Sequence, residues 1–353
     1  MATTLSEAYR NHPLHLHHII PLDFSSIRTL PESHAWSESN DSDNIISYNE
    51  SLSIPIIDLM DPYAMEQIGL ACEEWGVFQL KNHGIPLSVI EEVEVESKKL
   101  FSLPAEQKLK ALRSPGGATG YGRARISPFF PKYMWHEGFT FMGSSGDAKK
   151  IWPKDYEKFC DAMENYQKQM KILAEKLSHM ILNFLGIKNC SSSSEENKWV
   201  GSTNHIGAIQ LNFYPCCPEP NRAMGLAPHT DTSFLTILHQ TLTNGLQIFK
   251  DGSGWVPINP NPNTLVVNIG DILYIMSNAR FHCALHRVVV NKTKQRYSMA
   301  YFYGPPIDYV ISPLVINSHV PRFHALTVKD YINIKAKNLG GALSFISTTS
   351  KNI

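Results

Sequence analysis

"LAPHTDTSFLTILHQ" (residues 226–240) sets a His-x-Asp pair, His229 and Asp231, just ahead of a short β-type run, "FLTILHQ". In a chain with 15 histidines, about half of one such pair is expected by chance. The pair therefore gains meaning only from its setting. Side chains two apart at a strand end share a face, because strands alternate with period two. A histidine and a carboxylate placed this way can clamp one ion from a rigid element.

The β texture extends well beyond this stretch. "IGAIQLNFY" (206–214), "GLQIFK" (245–250), "GWVPI" (254–258), "TLVVNIGDILYIM" (264–276), "LHRVVVN" (285–291) and "RYSMAYFYG" (296–304) are further runs, separated by Gly, Pro, Asn or Asp. Many short strands at intervals of roughly 8–12 residues predict a sandwich or barrel of jelly-roll type. The first half reads differently. "SIPIIDL" (53–59) predicts a short strand, and Asp61-Pro62 supplies an N-cap and first-turn proline for a helix reaching Trp75. "GVFQLKNHGI" (76–85) predicts another strand and residues 88–102 a second helix. From 155 to 186 apolar residues fall at Tyr156, Phe159, Met163, Tyr166, Met170, Leu173, Leu177, Ile181 and Phe184. That spacing of three and four predicts one long helix. "CSSSSEEN" (190–197) is a polar break.

The expected class is α+β, with no internal repeat. An irregular arm over 1–50 precedes a mainly helical region over 51–200. A jelly-roll core over 201–310 follows, then a C-terminal helical extension over 311–353.

With 353 residues, 43% of them hydrophobic and 18% charged, the chain has the material for a globular, soluble core. Thirty-two basic residues balance 32 acidic ones, so no global field favours nucleic acid or an anionic membrane. A run of about 18 apolar residues, which a membrane span requires, is missing. The first 20 residues lack a basic start followed by an apolar stretch, so secretion is not expected. The six cysteines (72, 160, 190, 216, 217 and 283) are scattered. They predict reduced thiols in a cytoplasmic protein and no disulfide framework, which makes the sequons at Asn189 and Asn291 chance matches.

A metal site needs a third ligand, and His286 opens a later strand, "HRVVVN". Two imidazoles and one carboxylate leave three positions open, the arrangement suited to non-haem Fe(II). His282 is a rival, since "HCALH" spaces two histidines by four; it lacks the Glu of a zinc helix motif. His239 and His205 have no carboxylate neighbour in the chain. Beyond His286, "RYS" puts Arg296 and Ser298 on one strand face, where a guanidinium and a hydroxyl can hold a carboxylate. "NFY" pairs Asn212 with Tyr214 in the same way. The plain readings are a surface arginine, a core tyrosine and, for Cys216-Cys217, turn packing.

Together, "NFYPCCPEP", "HTD", "GLQIF", "NIGD", "SN", "HRVVVN" and "RYSMAYF" resemble, in order and spacing, the plant 2-oxoglutarate- and Fe(II)-dependent dioxygenases. "IPIIDL" and "EEWGVFQLKNHGIP" are similar to that family's N-terminal region, so the likeness spans about residues 50–315. It implies a distorted double-stranded β-helix core buttressed by helices, with Fe(II) held by His229, Asp231 and His286. It further implies that Arg296 and Ser298 grip the far carboxylate of 2-oxoglutarate, while Tyr214 and Asn212 position it. O2 is the second co-substrate, and ascorbate supports activity. The implied reaction splits 2-oxoglutarate into succinate and CO2 while hydroxylating a C–H bond.

Within the family, "MWHEGFT" (134–140), the preceding "GYGRARISPFFPK" (120–132) and "NRAMGLAPHTD" (221–231) look like gibberellin 3-oxidases. The Leu-Pro-Trp-Lys-Glu-Thr segment of 20-oxidases is absent. The likeness implies a small-molecule substrate, a gibberellin-like diterpenoid acid hydroxylated at carbon 3β. Such a ligand needs an apolar surface plus a cation or hydroxyl, and Tyr121, Arg123, Trp135 and Glu137 are the candidates; their plain readings are core aromatics and solvated charges. The alternatives are a gibberellin 2-oxidase or 20-oxidase, a flavonoid-type dioxygenase, a non-catalytic β-barrel that binds a small acid, and a zinc hydrolase. In the last, Arg-x-Ser would have no task.

Overall fold

Two nine-residue strands, Ile206–Tyr214 and Arg296–Gly304, pair antiparallel along their whole length at the centre of the molecule. The computed structural model describes residues 24, 26–36, 52–114, 116–187, 199–200, 205–314 and 320–349; the polar break at 190–197 lies outside them. In chain order the principal strands are β1 (Ile56–Asp58), β2 (Val77–Lys81), β3 (Gly120–Gly122), β4 (Glu137–Phe141), β5 (Ile206–Tyr214) and β6 (Met224–His229). They continue with β7 (Leu235–Gln240), β8 (Leu246–Lys250), β9 (Gly254–Pro257), β10 (Leu265–Ile269), β11 (His286–Val289) and β12 (Arg296–Gly304). Eight form one sheet in the order β1-β2-β10-β7-β12-β5-β4-β3, and four form a second, β6-β11-β8-β9. This is the jelly roll expected from the spacing of the β runs.

The central strands are apolar on both faces, which explains why they read as continuous runs. Met299 and Tyr301 of β12, Ile209 and Leu211 of β5, and Ile237 of β7 turn to one side, into the core shared with the helices. Their alternate neighbours Ala300, Tyr214, Leu238 and Val266 turn to the other and pack on Leu246, Ile248 and Val288 of the second sheet. The long helix is Tyr156–Phe184, and its buried stripe includes Phe159, Met163, Tyr166, Met170, Leu173, Leu177 and Ile181, as the periodicity predicts. It packs against helices Ala64–Glu74 and Leu87–Ser102. Among the described residues no helix is long and apolar enough to cross a membrane.

Two local expectations are revised. "TLVVNIGDILYIM" is a strand only to Ile269, and Asp271–Met276 is a helix. An apolar run without a period does not distinguish the two. Gly270 makes the junction, because a Cβ there would lie 1.9 Å from the carbonyl oxygen of Ser233. Second, Asp61 caps the turn before the first helix: its carboxylate accepts from the Tyr63 N–H at 2.8 Å, and the helix begins at Ala64. The described part of the N-terminal arm packs on the body. Leu30 and Ala35 are buried, and the Leu30 N–H donates to Glu219 Oε1 at 3.0 Å.

Gly270→Ala must push two backbone segments apart. The expected loss is about 3 kcal/mol of stability, read as a lower urea midpoint at unchanged m-value.

Candidate metal and co-substrate site

Strands β6 and β11 are neighbours, and their register pairs His229 with His286. The two rings therefore stand side by side, with centroids 4.3 Å apart. Asp231 lies two residues past the end of β6, in the following loop, so it reaches the site by a turn of the chain and not by strand alternation. Its Oδ1 is 3.8 Å from the Nε2 of each histidine. One donor atom from each of the three residues lies within 4.8 Å of the others. Nδ1 of His229 faces the Ala227 carbonyl at 2.8 Å, and Nδ1 of His286 faces that of Ala284 at 3.0 Å. A carbonyl only accepts, so each Nδ1 carries the proton and each Nε2 presents a lone pair to the common point.

Electrostatics favour the same state at His229. Burial, helped by the His286 charge, pushes His229 down to about 3. Burial works against ionisation of Asp231, but the neighbouring His286 and His229 outweigh it and hold the carboxyl below its usual range. Asp231 Oδ2 is buried with no hydrogen-bond partner among the described residues. A neutral His229, an ionised Asp231 with an orphaned carboxylate oxygen and the facing His286 Nε2 fit a divalent ion, and two nitrogens with one oxygen fit non-haem Fe(II).

The second half of the site lies across the cavity on β5 and β12. Their register sets Arg296 opposite Tyr214 and Ser298 opposite Asn212. Arg296 is 2% exposed, and its Nη2 donates to Gln240 Oε1 at 2.8 Å. Its Nε and Nη1 are buried without a partner among the described residues. Burial lowers its pKa from the usual arginine value. A desolvated cation with idle donors calls for an anion, and a carboxylate matches the fork. Asn212 Nδ2 donates to Ser298 Oγ at 3.4 Å, and burial raises the Tyr214 phenol.

All seven of these residues line one cavity of about 570 Å³ between the sheets. The other four candidates, Tyr121, Arg123, Trp135 and Glu137, are not among its lining residues. Alternation on β4 is the reason: Gly138 and Thr140 pair with the cavity-facing Asn212 and Gln210, which turns Glu137 to the helix side. There Glu137 Oε2 accepts from Tyr121 OH and Lys108 Nζ, each at 2.6 Å. Trp135 is buried with Nε1 donating to Pro215 O at 3.2 Å, and the Arg123 guanidinium covers the Tyr133 ring at 3.8 Å. Arg113, Arg125, Ile126, Phe129, Thr140 and Met142 form that wall instead.

Also missed was a buried brace behind the metal loop. Lys335, on helix Val328–Asn338, donates to Thr230 O at 2.7 Å and Thr230 Oγ1 at 2.9 Å, and pairs with Asp271. Asp271 Oδ2 also accepts from Tyr331 OH at 2.7 Å, and its backbone N–H donates to Asp231 O at 2.8 Å. Only Asp271 had a sequence signal, as the last residue of "NIGD". His239, set aside for want of a nearby carboxylate, meets Glu94 at 2.8 Å from helix Leu87–Ser102.

A jelly-roll cavity with a two-histidine, one-carboxylate cluster and a buried arginine has the architecture of a non-haem iron oxygenase. Comparison with known proteins narrows that class. Residues 206–305 match the 2OG-Fe(II) oxygenase superfamily, and residues 54–159 match the family described as non-haem dioxygenase in morphine synthesis N-terminal. The chain is 48% identical to gibberellin 3-beta-dioxygenase 1 of Pisum sativum, over 97% of this chain and 93% of that one. It is 44% identical to gibberellin 3-beta-dioxygenase 1 of Arabidopsis thaliana, over 98% of both. Among solved structures it is similar to JOX2 in complex with 2OG, Fe and JA, with a TM-score of 0.72 and 29% identity over 87% of this chain and 89% of that one. The chain belongs to the 2-oxoglutarate- and Fe(II)-dependent oxygenase superfamily, as a dioxygenase that uses Fe(II), 2-oxoglutarate and O2.

Two outcomes follow from this geometry. Lys335→Met strands the buried Asp271 carboxylate and is expected to cost about 3–5 kcal/mol in urea unfolding. Burial also holds His136 and His34 down to about 4, beside His229 at about 3, against an ordinary 6.5. The folded chain therefore binds fewer protons than the unfolded one below that pH, and stability falls with pH from about 6.5 toward 4. Urea midpoints measured across that range should decline, less steeply in His229→Gln.

Proposed function

We propose that this dioxygenase hydroxylates a gibberellin precursor at carbon 3β, forming a bioactive gibberellin together with succinate and CO2. The likeness to gibberellin 3-beta-dioxygenases along nearly the whole chain carries this reading. Its residue roles rest on the cavity geometry. His229 Nε2, His286 Nε2 and the Asp231 carboxylate hold the iron. Arg296, through its two idle donors, and Ser298 fork the far carboxylate of 2-oxoglutarate, while Tyr214 and Asn212 fix its orientation. Iron, when bound, supplies the oxidising power. The protein supplies position, and Leu226, Leu246, Val288 and Phe302 keep water from the reacting carbon.

Residues 201–310 carry the chemistry, 51–200 buttress it, and within 311–353 the helix Val328–Asn338 closes against the metal loop through Lys335. Of the arm over 1–50, the described residues 26–36 cover the second core through Leu30 and Ala35. Tyr121, Glu137, Trp135 and Arg123 support the substrate wall from behind. The enzyme works in the cytoplasm, with ascorbate supporting turnover and neither nucleic acid nor membrane as partner; Cys72, Cys160, Cys216, Cys217 and Cys283 are free thiols, as a reducing compartment keeps them.

Purified protein with Fe(II), 2-oxoglutarate, O2 and a panel of gibberellins should yield a 3β-hydroxylated product and stoichiometric succinate by mass spectrometry. Hydroxylation at carbon 2 would overturn the assignment in favour of a 2-oxidase. Arg296→Leu should raise KM for 2-oxoglutarate about tenfold or more, the worth of a charge-assisted hydrogen bond, and leave KM for the gibberellin near its wild-type value.

A further inference from the structure

His136, in the stretch "MWHEGFT", stands behind Asn212 and outside the cavity wall. It is buried, and it comes just before β4. Its Nε2 lies 3.1 Å from Asn212 Oδ1, and its ring packs on Tyr214 with centroids 5.4 Å apart. Burial holds the imidazole down to about 4, so it is neutral at physiological pH. Gly138 makes the room. It is the cross-strand partner of Asn212, and a Cβ there would lie 2.7 Å from Gln210 Nε2 and 3.2 Å from His136 Nε2.

The direction of each hydrogen bond around Asn212 follows from a group that can only donate. Arg113 Nη2 donates to Thr140 Oγ1 at 2.7 Å, and a guanidinium has no acceptor. The single Thr140 hydroxyl proton therefore goes to Gln210 Oε1, 2.6 Å away. That turns Gln210 Nε2 toward the Leu211 carbonyl at 3.1 Å and Asn212 Oδ1 at 3.2 Å. Asn212 thus presents its oxygen on this side, and the His136 Nε2 facing the same oxygen carries a proton. With its oxygen held by two donors, the amide offers its nitrogen to Ser298 Oγ at 3.4 Å. Ser298 accepts there, and its own proton is directed away from Asn212.

We propose that His136 is a positioning residue for Ser298: by fixing the Asn212 amide it sets the Ser298 hydroxyl to donate to the far carboxylate of 2-oxoglutarate. This rests on the reading that Ser298 grips that carboxylate. Without a donor at position 136, the Asn212 oxygen keeps one donor, Gln210, and the amide is free to turn that oxygen toward Ser298. The serine proton is then spent inside the protein, and the co-substrate loses one charge-assisted hydrogen bond. A neutral imidazole supplies the fixing proton without placing a second buried charge near Arg113.

The test is calorimetric titration of 2-oxoglutarate into the Fe(II)-loaded full chain with O2 excluded. His136→Leu should raise the Kd about fivefold, the worth of one hydrogen bond, and leave the Kd for Fe(II) within twofold. His136→Gln, whose amide N–H replaces the imidazole N–H, should stay within twofold of the wild type. His136→Phe keeps a ring in the same packing and should show the leucine loss, so the question is decided even where His136→Leu does not fold. Ser298→Ala should raise the Kd at least fivefold, and His136→Leu added to it should change the value less than twofold, since the histidine acts through that hydroxyl. A glutamine as poor as leucine, full additivity in the double variant, or an equal loss of Fe(II) affinity would overturn the proposal. An unchanged Kd in Ser298→Ala would remove the grip reading itself. A loss in Ser298→Ala with none in His136→Leu would keep that reading and overturn the positioning role.

Discussion

Period-two alternation along β5 and β12 divides the labour of this fold. Each strand spends one face on the helical core and the other on the cavity, so neighbouring residues have unrelated tasks. Met299 and Tyr301 pack against the helices while Ser298 and Ala300 line the cavity. Because the helical side is packed along its whole length, the ladder does not have to be stabilised from the cavity side. That leaves the inner face able to carry Arg296, Asn212 and Gln210, whose burial would otherwise weaken a core. The nine-pair register between the two strands then fixes Arg296 opposite Tyr214 and Ser298 opposite Asn212 without any help from a ligand.

The metal half obeys a different constraint. Two histidines come together because β6 and β11 are hydrogen-bonded neighbours in register, but Asp231 sits beyond the ladder and needs its own support. The support comes from Asp271, whose backbone N–H holds the Asp231 carbonyl, and from Lys335, which holds Thr230 and pairs with Asp271. A buried ion pair adds little net stability, since desolvation offsets its attraction. Its value here is positional: it locks the loop that presents a ligand to a helix contributed by the last part of the chain.

These two halves also decide what could be read from the sequence. Strand β5, the long helix and the jelly-roll class were legible because burial imposes a period on residues close in sequence. The His229, Asp231 and His286 cluster and the Arg296–Ser298 pair were legible because each falls in a short pattern with a chemical purpose. "DILYIM" was not, since an unbroken apolar run has no period and the turn depends on Gly270 fitting under Ser233. On β4 the register with β5 decides which face meets the cavity: Thr140 lines it, while Glu137, the residue the sequence suggested, turns to the helix side. Arg113 and Lys335 sit in no motif, and contacts with residues remote in sequence bring them to the site.

The contrast between ladder and loop divides the cavity into a fixed half and a variable half. Every residue assigned to iron or 2-oxoglutarate lies on a paired strand of the two sheets, apart from Asp231, which is braced separately. The wall formed by Arg113, Arg125, Ile126 and Phe129 lies in the stretch before β4, tied to the body by a short bridge between Leu112 and Tyr121 and the three-residue strand β3. Substitutions there alter the shape and charge of the distal cavity without shifting the β5–β12 register. The paired strands and the distal wall are therefore physically separable in this protein: the wall can change in shape while the β5–β12 register that sets Arg296 and Ser298 stays fixed.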